Sequence, residues 1–139
     1  MVDTTSRPLQ CVVVTPERTL LDQTVDFIAL PMYDGELGVL PGRAALIGRL
    51  GFGELRTRRG TTTARFFVDG GFAQIKANVV TVLTPRALKA EEIDVHAVEQ
   101  ALTTAVATVA ATPEAQDERL KSQERARAQL RIARQAREM

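Results

Sequence analysis

Residues 34–43 combine turn-forming residues with acidic side chains, a combination suited to binding a partner. The segment reads Asp34-Gly35-Glu36-Leu37-Gly38-Val39-Leu40-Pro41-Gly42-Arg43. Asp-Gly supplies the positive φ of a tight turn, and Pro-Gly joins a fixed φ to a permissive residue. The first bend also carries an acidic side chain. A loop whose turns are specified this strongly is typical of a segment that presents side chains to a binding partner. The simpler alternative is a pair of turns around a three-residue strand.

Hydrolytic chemistry is a second use for the acidic residues of this half. Asp34, Glu36 and Asp69 are the candidate acids, and each would need a general base or a nucleophile beside it in a concave site. The single histidine, His96, lies much later in the chain, and the sequence has no Ser-containing elbow motif. We therefore expect no catalytic residue and no enzyme activity of the chain by itself.

Thiol and metal chemistry have too few residues to support them. Cys11 is the only cysteine and His96 the only histidine, so neither an intramolecular disulfide nor a cysteine cluster for zinc is available. Cys11 also lies in an apolar run, where a thiol behaves as a small buried hydrophobe. We expect a buried, inert Cys11 and no metal site.

Basic residues accumulate near the C-terminal end. Positions 119–137 contain seven basic residues and only one acidic residue, Glu124. The seven are Arg119, Lys121, Arg125, Arg127, Arg131, Arg134 and Arg137. One interpretation is a solvated helix face whose charge complements the helix dipole, and the other is an arm that binds acidic partners. Nucleic acid is the poorer partner, because the tail has no aromatic residue to stack on bases.

Glycine and aromatic residues show which elements must position these side chains. All nine glycines lie between Gly35 and Gly71, and every aromatic residue lies before residue 73. Here β-prone runs alternate with turn signals, which predicts an antiparallel sandwich or barrel; no segment has the length or period of the helical crossover that a parallel sheet needs. The predicted strands cover residues 9–14, 25–30, 45–50, 54–58, 64–68, 72–76 and 79–83.

Two helices are predicted after residue 85, where good helix formers dominate. Asp94 is placed to cap the first, and Thr112-Pro113-Glu114 ends it and begins the second. The apolar stripe of the first helix comprises Val95, Val98, Ala101, Leu102, Ala105, Val106 and Val109. That of the second comprises Leu120, Ala126, Ala128, Leu130, Ile132, Ala133 and Ala136. Because this second stripe is mostly alanine, we expect a weakly held helix in an antiparallel hairpin that can open.

The chain is therefore predicted to be α+β, with a sandwich domain at residues 1–85 and a helical hairpin domain at residues 86–139. A net charge of +1 gives no indication of binding to nucleic acid or to an anionic membrane. No apolar run approaches the roughly 18 residues of a transmembrane helix, and the polar N-terminus lacks a signal peptide's apolar region. We expect a cytosolic protein that docks on a membrane complex without inserting.

Further segments accompany the loop in a fixed order. Upstream is Thr15-Pro16-Glu17-Arg18, and downstream are Asp69-Gly70-Gly71-Phe72, Val80-Thr81-Val82-Leu83 and Ala90-Glu91-Glu92-Ile93-Asp94. This ordered set, which spans residues 9–94, closely resembles the epsilon subunits of F-type ATP synthases. The resemblance implies a flattened antiparallel β-sandwich of about ten strands, followed by an antiparallel two-helix hairpin. It also implies that this hairpin is compact in one state and extended along the gamma subunit in another.

The resemblance further implies a non-catalytic rotor subunit of a proton-translocating complex, peripheral on the cytoplasmic face of the inner membrane. Its sandwich would couple gamma to the c-ring, and its helices would meet the beta and alpha subunits and restrain ATP hydrolysis. The implied c-ring contacts are Asp34, Gly35, Glu36, Leu37, Gly38 and Arg43, although Arg43 stands where the family usually has histidine. The implied inhibitory residues are Arg119, Lys121, Arg125, Arg127, Arg131 and Arg134.

Some bacterial members of this family bind ATP through Ile-Asp followed two residues later by Arg-Ala, together with arginines of the second helix. Here Ile93-Asp94 and Arg125 are present, but Ala97 and Gln129 stand where arginines are expected. Alanine cannot replace a guanidinium bound to phosphate, and the chain has no glycine-rich phosphate loop. We expect no cofactor and no ATP binding. The alternative to a rotor subunit is a free-standing adaptor whose basic helical arm binds acidic proteins.

Overall fold

The computed structural model describes residues 8–107 and 111–137. Within these ranges, ten strands form two five-stranded sheets, and two helices follow. The strands are β1 (Leu9–Val14), β2 (Thr19–Val25), β3 (Phe27–Met32), β4 (Gly35–Val39), β5 (Leu46–Arg49), β6 (Phe52–Arg59), β7 (Thr62–Asp69), β8 (Phe72–Lys76), β9 (Val79–Leu83) and β10 (Ala87–Lys89). The α+β class and the sandwich-then-hairpin order are confirmed. The N-terminal segment and Val109, both used in the sequence predictions, lie outside the described residues.

Sheet A has the strand order β2-β1-β9-β8-β5, and sheet B has the order β10-β7-β6-β3-β4. Every neighbouring pair is antiparallel except β1–β9, which is parallel. The predicted antiparallel sandwich is confirmed, with this one parallel pair within it. A parallel pair needs a long connection but not a helix, and here the connection from β1 to β9 consists of strands β2 to β8.

One glycine corner carries the chain from sheet B to sheet A. Gly71, between β7 and β8, has a φ of +98°, and a Cβ built on it would collide with the carbonyl group of Leu83. The carbonyl of Gly71 accepts a hydrogen bond from the amide of Leu50 at 2.8 Å. Only glycine combines this backbone conformation with so close an approach, which explains the Asp69-Gly70-Gly71 turn signal.

The main core lies between the two sheets. Alternate residues of β1 show the pattern of a half-buried strand, because Leu9, Cys11 and Val13 are fully buried and their neighbours are only partly so. Cys11 is thus the buried thiol predicted from the sequence. Burial raises its pKa to about 12, and the charge of Asp22 adds to the rise.

The helices begin where the sequence predicts. In α1 (Val95–Ala107) the amide of Ala97 donates to Oδ1 of Asp94 at 3.1 Å, and in α2 (Pro113–Arg137) the amide of Ala115 donates to Oγ1 of Thr112 at 3.0 Å. The helices are antiparallel: Gln123 donates to the carbonyl of Ala105 near the end of α1, and Arg134, further along α2, lies 3.9 Å from Glu99, nearer the start of α1. A turn of 3-10 helix (Ala90–Glu92) joins β10 to this hairpin.

The expectation that the second helix is the weakly held one was wrong for this conformation. α2 lies on the outer face of sheet B against β6 and β7, and Ile132 there is fully buried. α1 contains no buried residue. The apolar stripe of a helix shows how apolar that helix is, but not which elements pack against it. Here α2 is the better buried helix because it lies between α1 and sheet B. The second core joins sheet B to the helices and contains Phe67, Ala90, Ile93, Ala128, Ile132 and Ala133.

Three of the ten described strands, β2, β4 and β10, are absent from the strands predicted in the sequence. β2 is an edge strand of sheet A and contains the consecutive polar residues Asp22, Gln23 and Thr24. β4 contains two glycines and was expected only as the strand between two turns, and β10 has only three residues. β10 pairs with β7, so sheet B continues past residue 85, where the sequence places the boundary between domains. The division into domains at residue 85 remains a prediction.

Candidate functional site

The 34–43 loop is a β-hairpin followed by a second turn. Met32 pairs with Gly35, so Tyr33 and Asp34 form a two-residue connection between β3 and β4. Gly35 has a φ of +138°, a conformation that L side chains rarely adopt. The strand between the two turns has five residues rather than the three of the simpler alternative. Glu36 is therefore a strand residue next to the turn, held in place by the sheet.

Glu36 lies at the exposed end of a row of alternating charges. Its side chain is 57% exposed, and its Oε1 accepts a hydrogen bond from Nη2 of Arg56 at 3.3 Å. Nη1 of Arg56 donates to Oε1 of Glu54 at 3.0 Å, and Nη1 of Arg65 donates to the same oxygen at 2.9 Å. We call Arg65, Glu54, Arg56 and Glu36 the charge ladder. It presents one carboxylate to solvent and keeps the other side chains against the sheet.

A cleft of about 570 Å³ lies beside the hairpin. The guanidinium of Arg49 is 4.5 Å from the centre of the Tyr33 ring, and Tyr33 itself is 69% exposed. The lining residues are Met32, Tyr33, Asp34, Gly35, Glu36, Leu37, Leu46, Gly48 and Arg49. Leu46 and Arg49 were not predicted as site residues, because β5 reaches the β3–β4 hairpin only through the tertiary fold. Tyr33 lies in the turn next to Asp34 and was not predicted either.

Arg43 is not part of this cleft. It lies beyond the second turn and lines a separate cleft of about 410 Å³ with Phe27, Gly38 and Leu40. The structure thus brings together Asp34, Gly35, Glu36 and Leu37, and it places Gly38 and Arg43 at another surface.

The basic residues of α2 divide into paired and open groups. Arg125 donates from Nε to Oδ1 of Asp69 at 2.9 Å, Lys121 pairs with Asp117 at 3.1 Å, and Arg134 lies 3.9 Å from Glu99. Arg127 donates to Gln123 at 3.4 Å.

Arg131 is exposed and lines a groove of about 350 Å³ that also contains Glu36, Glu54 and Arg56. Arg119 is half-buried. Part of the predicted acid-seeking arm is therefore already bound to carboxylates of its own chain.

A third cleft, of about 440 Å³, contains the candidate nucleotide residues. Ile93, Asp94 and Arg125 line it, and so do Ala97 and Gln129, which occupy the positions expected for arginines. Arg86 is a further cation in the lining that the sequence analysis missed. Asp94 is already engaged as the cap of α1, and Arg125 is bound to Asp69, with its guanidinium 5.5 Å from the ring centre of Phe52.

The acids considered for hydrolysis do not meet a base in the described part of the chain. Asp69 is bound to Arg125, and His96 contacts Gln100 at 3.2 Å on the exposed side of α1. Cys11 lies in the main core, away from His96. Among residues 8–107 and 111–137 no group of three His, Cys, Asp or Glu side chains could hold a metal ion.

The outer face of sheet A is apolar at one end. Phe72 and Leu83 are direct neighbours across β8 and β9, and they are 58% and 53% exposed. Ile47, on the neighbouring strand β5, is 73% exposed and lies diagonal to Phe72, whose direct partner on β5 is Arg49. Large exposed apolar side chains side by side are typical of a protein–protein contact surface. Across the described ranges, neither helix combines the length and apolar character that crossing a membrane requires.

Comparison with known families gives a match over most of the sandwich. Residues 8–90 match the family described as ATP synthase, Delta/Epsilon chain, beta-sandwich domain. An ATP synthase epsilon chain of Rhodopirellula baltica is 50% identical over 126 residues, which cover 91% of this chain and 98% of the relative. An ATP synthase epsilon chain of Nitratidesulfovibrio vulgaris strain Miyazaki F is 39% identical over 95 residues, 68% of this chain and 71% of the relative.

Two solved structures share the fold. One is a chain of the Euglena gracilis mitochondrial ATP synthase, with a TM-score of 0.70, 24% identity, and coverage of 95% of this chain and 82% of that chain. The other belongs to the central stalk and c-ring of the Tetrahymena thermophila mitochondrial ATP synthase, with a TM-score of 0.69, 16% identity, and coverage of 94% and 99%. At these identities the likeness shows that the sandwich and hairpin recur together as one fold.

Proposed function

Since this chain belongs to the ATP synthase epsilon-chain family, we propose that it is a non-catalytic subunit of the central stalk. In this proposal Glu36, in the β3–β4 hairpin, contacts the c-ring. The observation that carries the proposal is Glu36. Its side chain is 57% exposed, lies two residues beyond a two-residue turn, and borders the cleft of Tyr33 and Arg49. A fixed, exposed carboxylate beside a partly apolar cleft suits a partner loop with both polar and apolar side chains.

The gamma subunit is assigned to the outer face of sheet A. The outer face of sheet B is covered in part by α2, whereas Ile47, Phe72 and Leu83 leave an apolar patch uncovered on sheet A. Contacts of this kind contribute by excluding water from the centre of an interface. The two surfaces would join gamma on one side to the c-ring at the hairpin, so rotation of either would turn the other.

The helical hairpin is assigned the restraint of ATP hydrolysis, through contacts of α2 with acidic groups of the beta and alpha subunits. The exposed Arg127, Arg131 and Arg137 are available to such groups while α2 lies on the sandwich. Arg125 and Arg134 become available only after they leave Asp69 and Glu99. In this proposal the subunit is peripheral, on the cytoplasmic face of the membrane that holds the c-ring.

A charge reversal at the hairpin tests the proposal. Glu36→Lys should weaken the coupling of proton flux to ATP synthesis, measured in membrane vesicles that contain the variant complex. The matched control is Glu91→Lys, an equal charge change at an exposed residue just after β10, at the edge of sheet B opposite β4. Both exposed substitutions should change the folding free energy by less than about 0.5 kcal/mol. Normal coupling with Glu36→Lys would remove the hairpin from the c-ring contact.

A further inference from the structure

We propose that Arg56 is a positioning residue for this subunit's c-ring contact, acting through Glu36. This inference rests on the proposed function of Glu36. Arg56 contacts Glu36 at 3.3 Å and Glu54 at 3.0 Å, using a different terminal nitrogen for each carboxylate. It is the single described link between the exposed carboxylate of the hairpin strand and a carboxylate held against the sheet.

The inner end of the charge ladder is the fixed end. Glu54 is 13% exposed and Arg65 is 16% exposed, and Nη1 of Arg65 lies 2.9 and 3.0 Å from the two oxygens of Glu54. Exposure then rises to 29% at Arg56 and 57% at Glu36. Charge-assisted hydrogen bonds gain strength as water is excluded, so Glu54 holds Arg56 more firmly than Arg56 holds Glu36.

The register of the sheet makes this arrangement possible. Glu36 pairs with Pro31 across β3–β4, and Arg56 pairs with Ala29 across β3–β6. Pro31 and Ala29 are small and lie between the two charged residues, so the long Arg56 side chain can cross β3 to reach Glu36. A bulky residue at Ala29 would block that path.

Arg56 has two opposite effects on the affinity of Glu36 for its partner: it fixes the direction of the carboxylate and it partly neutralises its charge. We expect the first effect to be the larger. The charge ladder contains two arginines and two glutamates, so as a whole it carries no net charge. A partner loop therefore meets a carboxylate whose direction is set in advance and whose side chain remains mostly exposed. Fixing a side chain before association reduces the entropy lost on binding.

The guanidinium group is essential to this role. Its planar fork reaches two carboxylates with two nitrogens at fixed angles, whereas the ammonium group of lysine is a point charge on a flexible stem. Arg56→Lys therefore keeps the charge but loses the bridge. Positioning predicts that this variant behaves like Arg56→Gln, and a role in charge alone predicts that it behaves like the unsubstituted protein.

The test is a double-mutant cycle on the assembled complex. Full-length variants are titrated back onto ATP synthase that has been stripped of this subunit, and the dissociation constant is measured. Arg56→Gln should weaken binding about threefold, as expected for losing a partly exposed ion pair, and Glu36→Gln should weaken it at least as much. The double variant should bind no more weakly than Glu36→Gln alone, because Arg56 acts through Glu36.

Arg58→Gln is the matched control. Arg58 lies two residues further along β6, on the same face, with its guanidinium 5.2 Å from the ring centre of Phe27. It should bind like the unsubstituted protein. The melting temperature of Arg56→Gln should fall by less than about 4 °C, because Glu54 retains Arg65. This separates a positioning role from a general loss of stability.

Each other outcome contradicts a defined claim. Additive effects of Arg56→Gln and Glu36→Gln would show that Arg56 acts independently and would overturn the positioning role. The same holds if Arg56→Gln binds normally while Glu36→Gln does not, or if Arg56→Lys restores full affinity. Normal binding of Glu36→Gln would instead overturn the proposed c-ring contact, and with it any role for Arg56 there.

Discussion

Cys11 is a single residue whose chemistry is set by its position between the sheets. Its side chain is fully buried, and burial raises its pKa from an ordinary value of 9.0 to about 12, with a further contribution from Asp22. The thiolate is the reactive form, so the native thiol should react far more slowly with iodoacetamide at pH 8 than the urea-unfolded thiol. Equal rates measured by mass spectrometry would show that the sandwich opens readily around β1.

The same shift predicts how stability depends on pH. The pKa is higher in the folded state, so the stabilisation is complete below about pH 9 and is lost progressively as the pH rises toward 12. The free energy of unfolding should therefore fall more steeply between pH 9 and 11 than it does in Cys11→Ala, which lacks the group. Parallel curves for the two proteins in urea titrations would contradict this.

We predict no ATP binding because Ala97 and Gln129 stand where arginines would be needed. Both line the cleft of Asp94 and Arg125 without supplying a cation, so 1 mM ATP should leave the melting temperature nearly unchanged. A site with a dissociation constant of about 10 μM would add roughly 2.7 kcal/mol at that concentration, which would raise the melting temperature by several degrees. Such a rise would show that a further side chain completes the site, and loss of the rise in Arg86→Gln would identify that side chain as Arg86.

At the scale of elements, α2 is held by one face and exposed on the other. Ile132 is fully buried against the second core, whereas Leu120 is 44% exposed. Ile132→Ala should destabilise by about 2–5 kcal/mol because it leaves a cavity under the helix, and Leu120→Ala should cost less than about 1 kcal/mol. Urea unfolding measures the loss, and hydrogen exchange of the α2 amides should accelerate only in Ile132→Ala. Equal costs would mean that α2 does not rest on sheet B in solution.

Local signals in the sequence predict the elements well and their partners poorly. The caps at Asp94 and Thr112 depend on a few neighbouring residues, and both are observed. The burial of α2 instead depends on Phe67, a residue about sixty-five positions from Ile132, so no helical periodicity can show it. The site divides in the same way: the hairpin turn is local and was predicted, whereas Arg49 and Arg56 reach it from other strands and were not.

The burial of α2 changes what release of that helix requires. Leaving the sandwich exposes Ile132 and breaks the bond between Arg125 and Asp69, so detachment costs more than the sequence suggested. It also frees Arg125, whereas Arg134 pairs with Glu99 of α1 and is freed only if the two helices also separate. In the proposed function Arg125 would thus stabilise the docked state through Asp69 and the inhibitory state through new partners, so its substitution alone tests neither.

At the scale of the whole molecule, truncation after Thr112 should raise ATP hydrolysis by the assembled complex and leave assembly intact. The truncated chain loses every basic residue from Arg119 onward, but it keeps the Glu36 hairpin and the apolar patch of Phe72 and Leu83. Several charge contacts made together add what a single surface pair cannot. Hydrolysis is measured on purified complexes at several salt concentrations.

The control for truncation keeps α2 in place, because its removal uncovers Phe52 and Phe67 on sheet B. Arg127→Gln with Arg131→Gln removes two exposed charges and retains Ile132 and the Arg125–Asp69 bond. This variant should release hydrolysis in part, and inhibition should return as salt is lowered, since unscreened attraction from the remaining charges grows. Hydrolysis that matches the intact complex in both variants, at every ionic strength and proton-motive force, would exclude α2 as the inhibitory element.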